Sequence, residues 1–170
     1  MTQRRPWRPC PAKKSNIMEQ HAELLLAVDS RMECISHVRE AVKNLCSLFL
    51  LPEQYAYEVQ LCVVEATSNA IKHAYGNEAG SLVEIKFEIS GNRVSIQVCD
   101  SGIAMPHGLL EQSNNLQLEP EKIPMFLLPE SGWGLTIIKK LMDHIDYTSK
   151  DGHNCLTMQK TIPSLQNILQ

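Results

Sequence analysis

Glu65 and Asn69 stand four residues apart in the run Glu65-Ala-Thr-Ser-Asn69-Ala-Ile-Lys-His73, an acid and an amide one helical turn from each other. A carboxylate so placed can take a proton, and a neutral amide oxygen beside it can hold a hard cation such as Mg2+. Two further segments add what a nucleotide needs. Asp100-Ser-Gly102-Ile-Ala104 puts an aspartate where a strand ends, able to accept a hydrogen bond from the exocyclic amine of a base, with Gly102 letting backbone approach the ring. Ser131-Gly132-Trp133-Gly134-Leu135-Thr136 opens a helix, where uncovered backbone N–H groups favour phosphate. Each segment alone also fits a plain reading: a solvated helix stripe, an Asp-Ser-Gly turn, a loop leading into a helix. Their joint presence, in this order, describes a magnesium–nucleotide site.

The elements that must position these residues follow from periodicity. Ala56, Val59, Val63, Ala66, Ala70 and Ala74 recur at three- and four-residue steps, predicting a helix from about Glu53 to Tyr75 with Pro52 and Glu53 at its start and Gly76-Asn77 at its end. Glu65, Asn69, Lys72 and His73 then share one face. Asn92 to Cys99 alternates polar and apolar residues as a half-buried strand does, and Ser90-Gly91-Asn92 reads as a tight turn from a partner strand, Leu82 to Ile89. Leu135 to His144 reads as an amphipathic helix with Leu135, Ile138, Leu141, Met142 and Ile145 inward. Upstream, Glu23 to Asp29 is a strand, and Met32 to Leu51 a helix burying Ile35, Val38, Val42, Leu45 and Leu48. Asp146 to Ser149 and Cys155 to Thr161 pair across Asp151-Gly152. The expected fold class is α+β: a two-layer α/β sandwich with helices on one face of a mixed, mostly antiparallel sheet.

With these segments in hand, the chain resembles the histidine-kinase-like ATPases, and within them the bacterial anti-sigma factor serine-protein kinases. The resemblance covers about Ala22 to Ile162. It rests on Val64-Glu65-Ala66-Thr67-Ser68-Asn69-Ala70-Ile71-Lys72-His73-Ala74-Tyr75, on Asp100 with Gly102, and on Gly132-Trp133-Gly134-Leu135-Thr136. It implies ATP and Mg2+ as cofactors, with Glu65 as general base and Asn69 as magnesium ligand. It further implies an ATP site comprising Asn69, His73, Asp100, Gly102, Ala104, Ser131, Gly132, Trp133, Gly134, Leu135 and Thr136. His73 enters as a group that orients a loop or fills a polar niche, since no second His or Cys at metal spacing accompanies it.

The implied function is that of an ATP-dependent serine-protein kinase that phosphorylates an anti-sigma-factor antagonist and binds a sigma factor or another regulator. The alternative is an ATP-binding module that sequesters a regulator without catalysis. A homodimer is expected, through the helix Met32 to Leu51 or the first strand. A sensor histidine kinase is disfavoured, because no long phosphoacceptor helix pair precedes Glu53, and a gyrase-type ATPase is disfavoured by length. Two positions depart from the family pattern: Ala104 stands where a second glycine is common, and Cys155 aligns with a frequent Thr on the closing strand, with Thr157 nearby.

Between Met105 and Glu130 periodicity fails at Pro106, Gly108, Asn114-Asn115, Pro120, Pro124 and Pro129. This is where the fold keeps its ATP lid, and Lys122 is its one Lys or Arg. The first twenty residues carry Arg4, Arg5, Arg8, Lys13 and Lys14 against Glu19, with Pro6, Pro9 and Pro11. They read as a disordered basic arm, or as sequence ahead of a true start at Met18; residues 21–170 form a single domain. The arm carries +4 of a chain total of −3, so the remainder stands at −7 and argues against nucleic acid as a ligand. With 44% hydrophobic residues the chain can bury a core without staples, and no apolar run reaches membrane-spanning length. Six cysteines without a CxxC pair are expected as free thiols in a reducing cytoplasm.

Overall fold

The computed structural model describes residues 21–112 and 133–163. The basic arm and most of the expected lid, with Lys122, Ser131 and Gly132, lie outside the described residues. Five strands, β1 (His21–Asp29), β2 (Leu82–Ser90), β3 (Arg93–Asp100), β4 (His144–Lys150) and β5 (His153–Thr161), form one sheet in the order β1-β2-β3-β5-β4. All four ladders are antiparallel. The helices α1 (Cys34–Leu48), α2 (Glu53–Asn69) and α4 (Gly134–Leu141) stack on the sheet, with a single short turn, α3 (Leu109–Gln112), beyond β3. This is the expected two-layer α+β sandwich.

The layers follow from alternation. Val83, Ile85, Phe87 and Ile89 of β2, Val94, Ile96 and Val98 of β3, and Leu156 and Met158 of β5 are buried against the helices. Their neighbours along each strand, among them Gln97 and Thr157, turn to the outer face, away from the described helices, where Gln97 Nε2 donates to Thr157 Oγ1 at 3.3 Å. Val38, Val42 and Cys46 of α1, Val59, Cys62 and Val63 of α2, and Ile138 of α4 close the core from the other side. Each such fully buried Val or Ile is worth about 1.5–3 kcal/mol, so the core outweighs local propensity in fixing the layers. Helix α2 lies between α1 and α4 and packs against both.

The hairpins are as the turn residues dictate. Asp151 and Gly152 sit at φ 53° and 79° between the paired Lys150 and His153, and Gly91 at φ 61° turns β2 into β3.

Four expectations need correction. Helix α1 ends at Leu48, which is 73% exposed rather than inward: Leu50 adopts a left-handed φ of 55°, and the Leu50 and Leu51 N–H groups cap the Ser47 and Cys46 carbonyls. Helix α4 stops at Leu141 because Met142 is already extended and the Asp143 N–H pairs with the Gln159 carbonyl; Ile145 therefore packs from β4, opposite Met158. The Glu53–Tyr75 helix is not uniform, since Ala70–Ala74 forms a π-helical turn. The cysteines are not all free thiols. Cys99 and Cys155 face each other across β3 and β5, Cα atoms 4.2 Å apart, and are joined by a disulfide. Direct opposition in one ladder brings their side chains together whatever their separation in sequence.

Candidate nucleotide site

The C-terminal half of α2, the π-helical turn, the end of β3 and the start of α4 converge on one cavity of about 690 Å³. That size suits a nucleotide-sized ligand. Ala66, Ala70, Val98, Leu156, Leu135 and Tyr147 give it apolar walls, and Asn69, His73 and Asp100 give it polar ones. The loop Ile103–Pro106 and Leu109 complete the rim.

Glu65 and Asn69 are both half-buried and meet α4 at Gly134. A Cβ built on Gly134 would stand 2.9 Å from Glu65 Oε2 and 3.2 and 3.3 Å from Asn69 Nδ2 and Oδ1, so only a residue without a side chain lets α4 start this close to the carboxylate and the amide. The Asn69 amide oxygen is a neutral, hard donor of the kind that would hold Mg2+, and the Glu65 carboxylate beside it is free to take a proton. Of the remaining residues on the expected face, His73 reaches the cavity while Lys72 is exposed and does not line it. The π-helical turn inserts an extra residue per turn at this point, a device found at functional sites. Its last bond, from the Tyr75 N–H to the Ala70 carbonyl, is 3.1 Å long.

Asp100 is held by a network that sequence reading did not identify. Asn154, 1% exposed and opposite Asp100 in the ladder, donates through Nδ2 to Asp100 Oδ1 at 2.8 Å and to the Gly102 carbonyl at 3.1 Å. Its own Oδ1 accepts from Ser149 Oγ at 2.7 Å. The Gly102 N–H adds a second bond to Asp100 Oδ1 at 3.0 Å. With Oδ1 doubly occupied, Oδ2 has no donor among the described residues and stands as an acceptor on the cavity wall. Tyr147 Oη accepts the Met105 N–H at 2.8 Å, and Tyr75 Oη accepts the Ser101 N–H at 2.8 Å, so two phenols fix the loop after β3.

Cys155, aligned by resemblance with a closing-strand contact, and Thr157 nearby both face the opposite side of the sheet. Asn154 occupies the inward position instead; the Asp100–Asn154 register would have found it.

Gly102 has a different task from the one its position suggested. A Cβ there would lie 2.3 Å from the Ala74 carbonyl oxygen, so the residue lets the loop pack on the π-helical turn, where the Ile103 N–H also bonds to that carbonyl at 2.9 Å. Gly102→Ala is expected to cost about 1–3 kcal/mol and to weaken nucleotide binding. Urea denaturation and a binding titration on the same protein check both effects. Ala104 and Leu135 line the cavity; Trp133 and Thr136 do not, Trp133 accepting the Ile137 N–H and Thr136 being buried in α4.

The family model of the histidine kinase-like ATPase domain matches residues 28–160. Among curated proteins, the chain is 25% identical over 142 residues to a serine-protein kinase RsbW of Bacillus thuringiensis, covering 82% of this chain and 86% of that one. A serine-protein kinase RsbW of Bacillus anthracis is 26% identical over 144 residues, with the same coverage. Among solved structures, the RsbU and RsbW domains of a Mycobacterium tuberculosis protein give a TM-score of 0.59 at 14% identity, over 83% of this chain and 32% of that longer one. A blue-light activated histidine kinase of Erythrobacter litoralis gives 0.51 at 16%, over 78% and 42%. At these identities the structural likeness speaks to the fold alone. The family match spans every element that builds the cavity, from the end of β1 through Gly134 to β5, and the chain belongs to the histidine kinase-like ATPase domain family.

Proposed function

We propose that the chain is an ATP- and Mg2+-dependent serine-protein kinase that phosphorylates an anti-sigma-factor antagonist and, in its other partnership, binds a sigma factor or a comparable regulator. The observation that carries the reading is that Asn69 and Gly134 line the cavity while Glu65, one turn before Asn69 and outside the lining, stands against the same Gly134. A module that only sequestered a partner would have no use for a base beside a metal ligand. The similarity to serine-protein kinases over most of the chain supports the same class.

In this reading Asp100 Oδ2 accepts the exocyclic amine of adenine, the base lies between Ala70, Val98, Leu156 and Tyr147, and the polyphosphate runs toward Gly134. Asn69 and the phosphates would hold Mg2+, which supplies charge neutralisation as the γ-phosphoryl group is transferred. Glu65, one turn from Asn69, accepts the proton of the incoming serine hydroxyl, and the α4 N-terminus favours phosphate through its uncovered N–H groups. The homodimer belongs to the proposal. Edge strand β1 leaves Leu24 and Leu25 at 42% and 63% exposure, and pairing with a second copy would cover both its backbone edge and these side chains. No helix among the described residues is long and apolar enough to cross a membrane, and a cytoplasmic location is the natural counterpart of ATP use.

The test is transfer of labelled γ-phosphate from ATP, with Mg2+, to purified antagonist protein. Phosphoserine on the antagonist, lost on chelation of the metal, is the expected result. Saturable ATP binding with no transfer to any antagonist would replace the kinase by a nucleotide-dependent sequestering module.

A further inference from the structure

The disulfide lies between two rungs that build the cavity. On the β3–β5 ladder Val98 opposes Leu156, Cys99 opposes Cys155, and Asp100 opposes Asn154. Val98, Leu156 and Asp100 line the cavity, and Asn154 holds Asp100 from its buried position. The sulfur bridge closes the middle rung from the outer face, the side shared by Gln97 and Thr157. Its two cysteines are half-buried, within reach of a small solute, whereas Cys46 and Cys62 are wholly enclosed in the core. Burial pushes the Cys46 thiol up to about 11 and that of Cys62 to about 12, which keeps them protonated and out of thiol exchange.

We propose that Cys99 and Cys155 form a reversible dithiol–disulfide site that exchanges with small-molecule disulfides of the glutathione class and sets the affinity of the adjacent cavity for nucleotide. The proposal rests on the reading of that cavity as an ATP site. In the oxidising direction one cysteine thiolate attacks a sulfur of glutathione disulfide, forming a mixed disulfide and releasing one glutathione thiolate. The second cysteine thiolate attacks the protein sulfur of that mixed disulfide and releases the other. The protein gives up two protons and two electrons, and glutathione disulfide becomes two glutathione thiols.

The coupling is mechanical and local. Asp100 follows Cys99, and Asn154 precedes Cys155, so a covalent tie at the middle rung holds both strands at the spacing the Asp100–Asn154 bond requires. Beyond that rung β3 passes into the loop after Asp100, and β5 begins only at His153, after the Asp151-Gly152 turn. The other ties on these two strand ends, from Asn154 to Asp100 and Gly102, from the Ser101 N–H to Tyr75 and between Ser101 and His153, are hydrogen bonds, so cutting the one covalent tie lets the acceptor carboxylate and its partner shift against each other. The oxidised form is therefore the tight-binding one, with ATP affinity at least about fivefold above that of the reduced form.

The experiment equilibrates the full chain in mixtures from pure glutathione to pure glutathione disulfide. Alkylation of the native protein and peptide mass mapping then read each cysteine, and ATP affinity is measured by calorimetry on both end states. The expected result is joint conversion of Cys99 and Cys155 with one two-electron midpoint, Cys46 and Cys62 unlabelled throughout, and a fivefold or larger change in affinity. Cys99→Ser and, independently, Cys155→Ser should bind ATP with the reduced form's affinity whatever the mixture. A pair that stays in one state across all mixtures overturns the site. Equal ATP affinity in the two states overturns the coupling while leaving the nucleotide reading intact. Absence of ATP binding in both states overturns that reading and the coupling with it.

Discussion

Glu65→Gln is expected to lower the rate of phosphoryl transfer by about 10²–10⁴-fold, the range a positioned general base contributes, while the ATP dissociation constant stays at its wild-type value. The amide keeps the shape and hydrogen-bonding reach of the carboxylate, so the contact with Gly134 survives and only the ability to take a proton is lost. Asn69→Ala should differ in kind: without its oxygen the metal-dependent part of nucleotide binding falls as well, so the two neighbours separate into a rate effect and a binding effect. Single-turnover transfer to the antagonist, run beside equilibrium ATP binding, distinguishes them. A Glu65→Gln protein that transfers phosphate at the wild-type rate would remove Glu65 from the chemistry and leave it a structural neighbour of Gly134.

The candidate-site positions that the cavity and Gly134 bring together are legible in the sequence because each depends on spacing within a single element. Glu65 and Asn69 share a helix, Asp100 ends a strand of clean alternation, and Gly134 precedes an apolar helix stripe. What stayed hidden depends on which residues of two distant strands face each other. The period of a strand tells which side a residue faces but not its partner, so neither the Cys99–Cys155 link nor the Asn154 hold on Asp100, separated by 56 and 54 residues, could be read from either strand alone. The π-helical turn was hidden for another reason: Ala70, Ile71 and Ala74 suit an α-helix equally well, and it is packing of the Gly102 loop on the Ala74 carbonyl that accompanies the local widening. Leu48 faces outward because Cys46, not Leu48, continues the buried four-residue repeat of Val38 and Val42, and apolar type alone does not separate the two.

Replacing Lys160 by alanine is expected to destabilise the fold by about 3–5 kcal/mol, the cost of leaving one member of a buried ion pair without its partner. Lys160 sits on β5 at 8% exposure, and its Nζ meets Glu58 Oε2 of α2 at 2.6 Å and donates to the Leu141 carbonyl at the end of α4 at 2.5 Å. It also lies 5.3 Å above the centre of the Tyr55 ring. One ammonium thus ties the sheet to the two helices that carry Asn69 and Gly134, from the end of each helix remote from the cavity. Burial works to raise the Glu58 carboxyl's proton affinity, but hydrogen bonds from Lys160 and Gln54 together with the Lys160 charge outweigh it, holding the group below its ordinary value of 4.5. Because the folded state binds this proton more weakly than the unfolded chain does, the pair's contribution is complete above the ordinary carboxylate range and is lost as pH falls through and below it. Thermal unfolding at neutral pH should show Lys160→Ala melting about 6–20 °C below wild type. The paired change Glu58→Gln with Lys160→Met, which removes both charges and keeps volume, should recover most of that loss and flatten the acid limb of the stability curve. If the double variant is as unstable as Lys160→Ala, the stem of Lys160 and its contacts with Tyr55 and Leu141, rather than the ion pair, hold the three elements together.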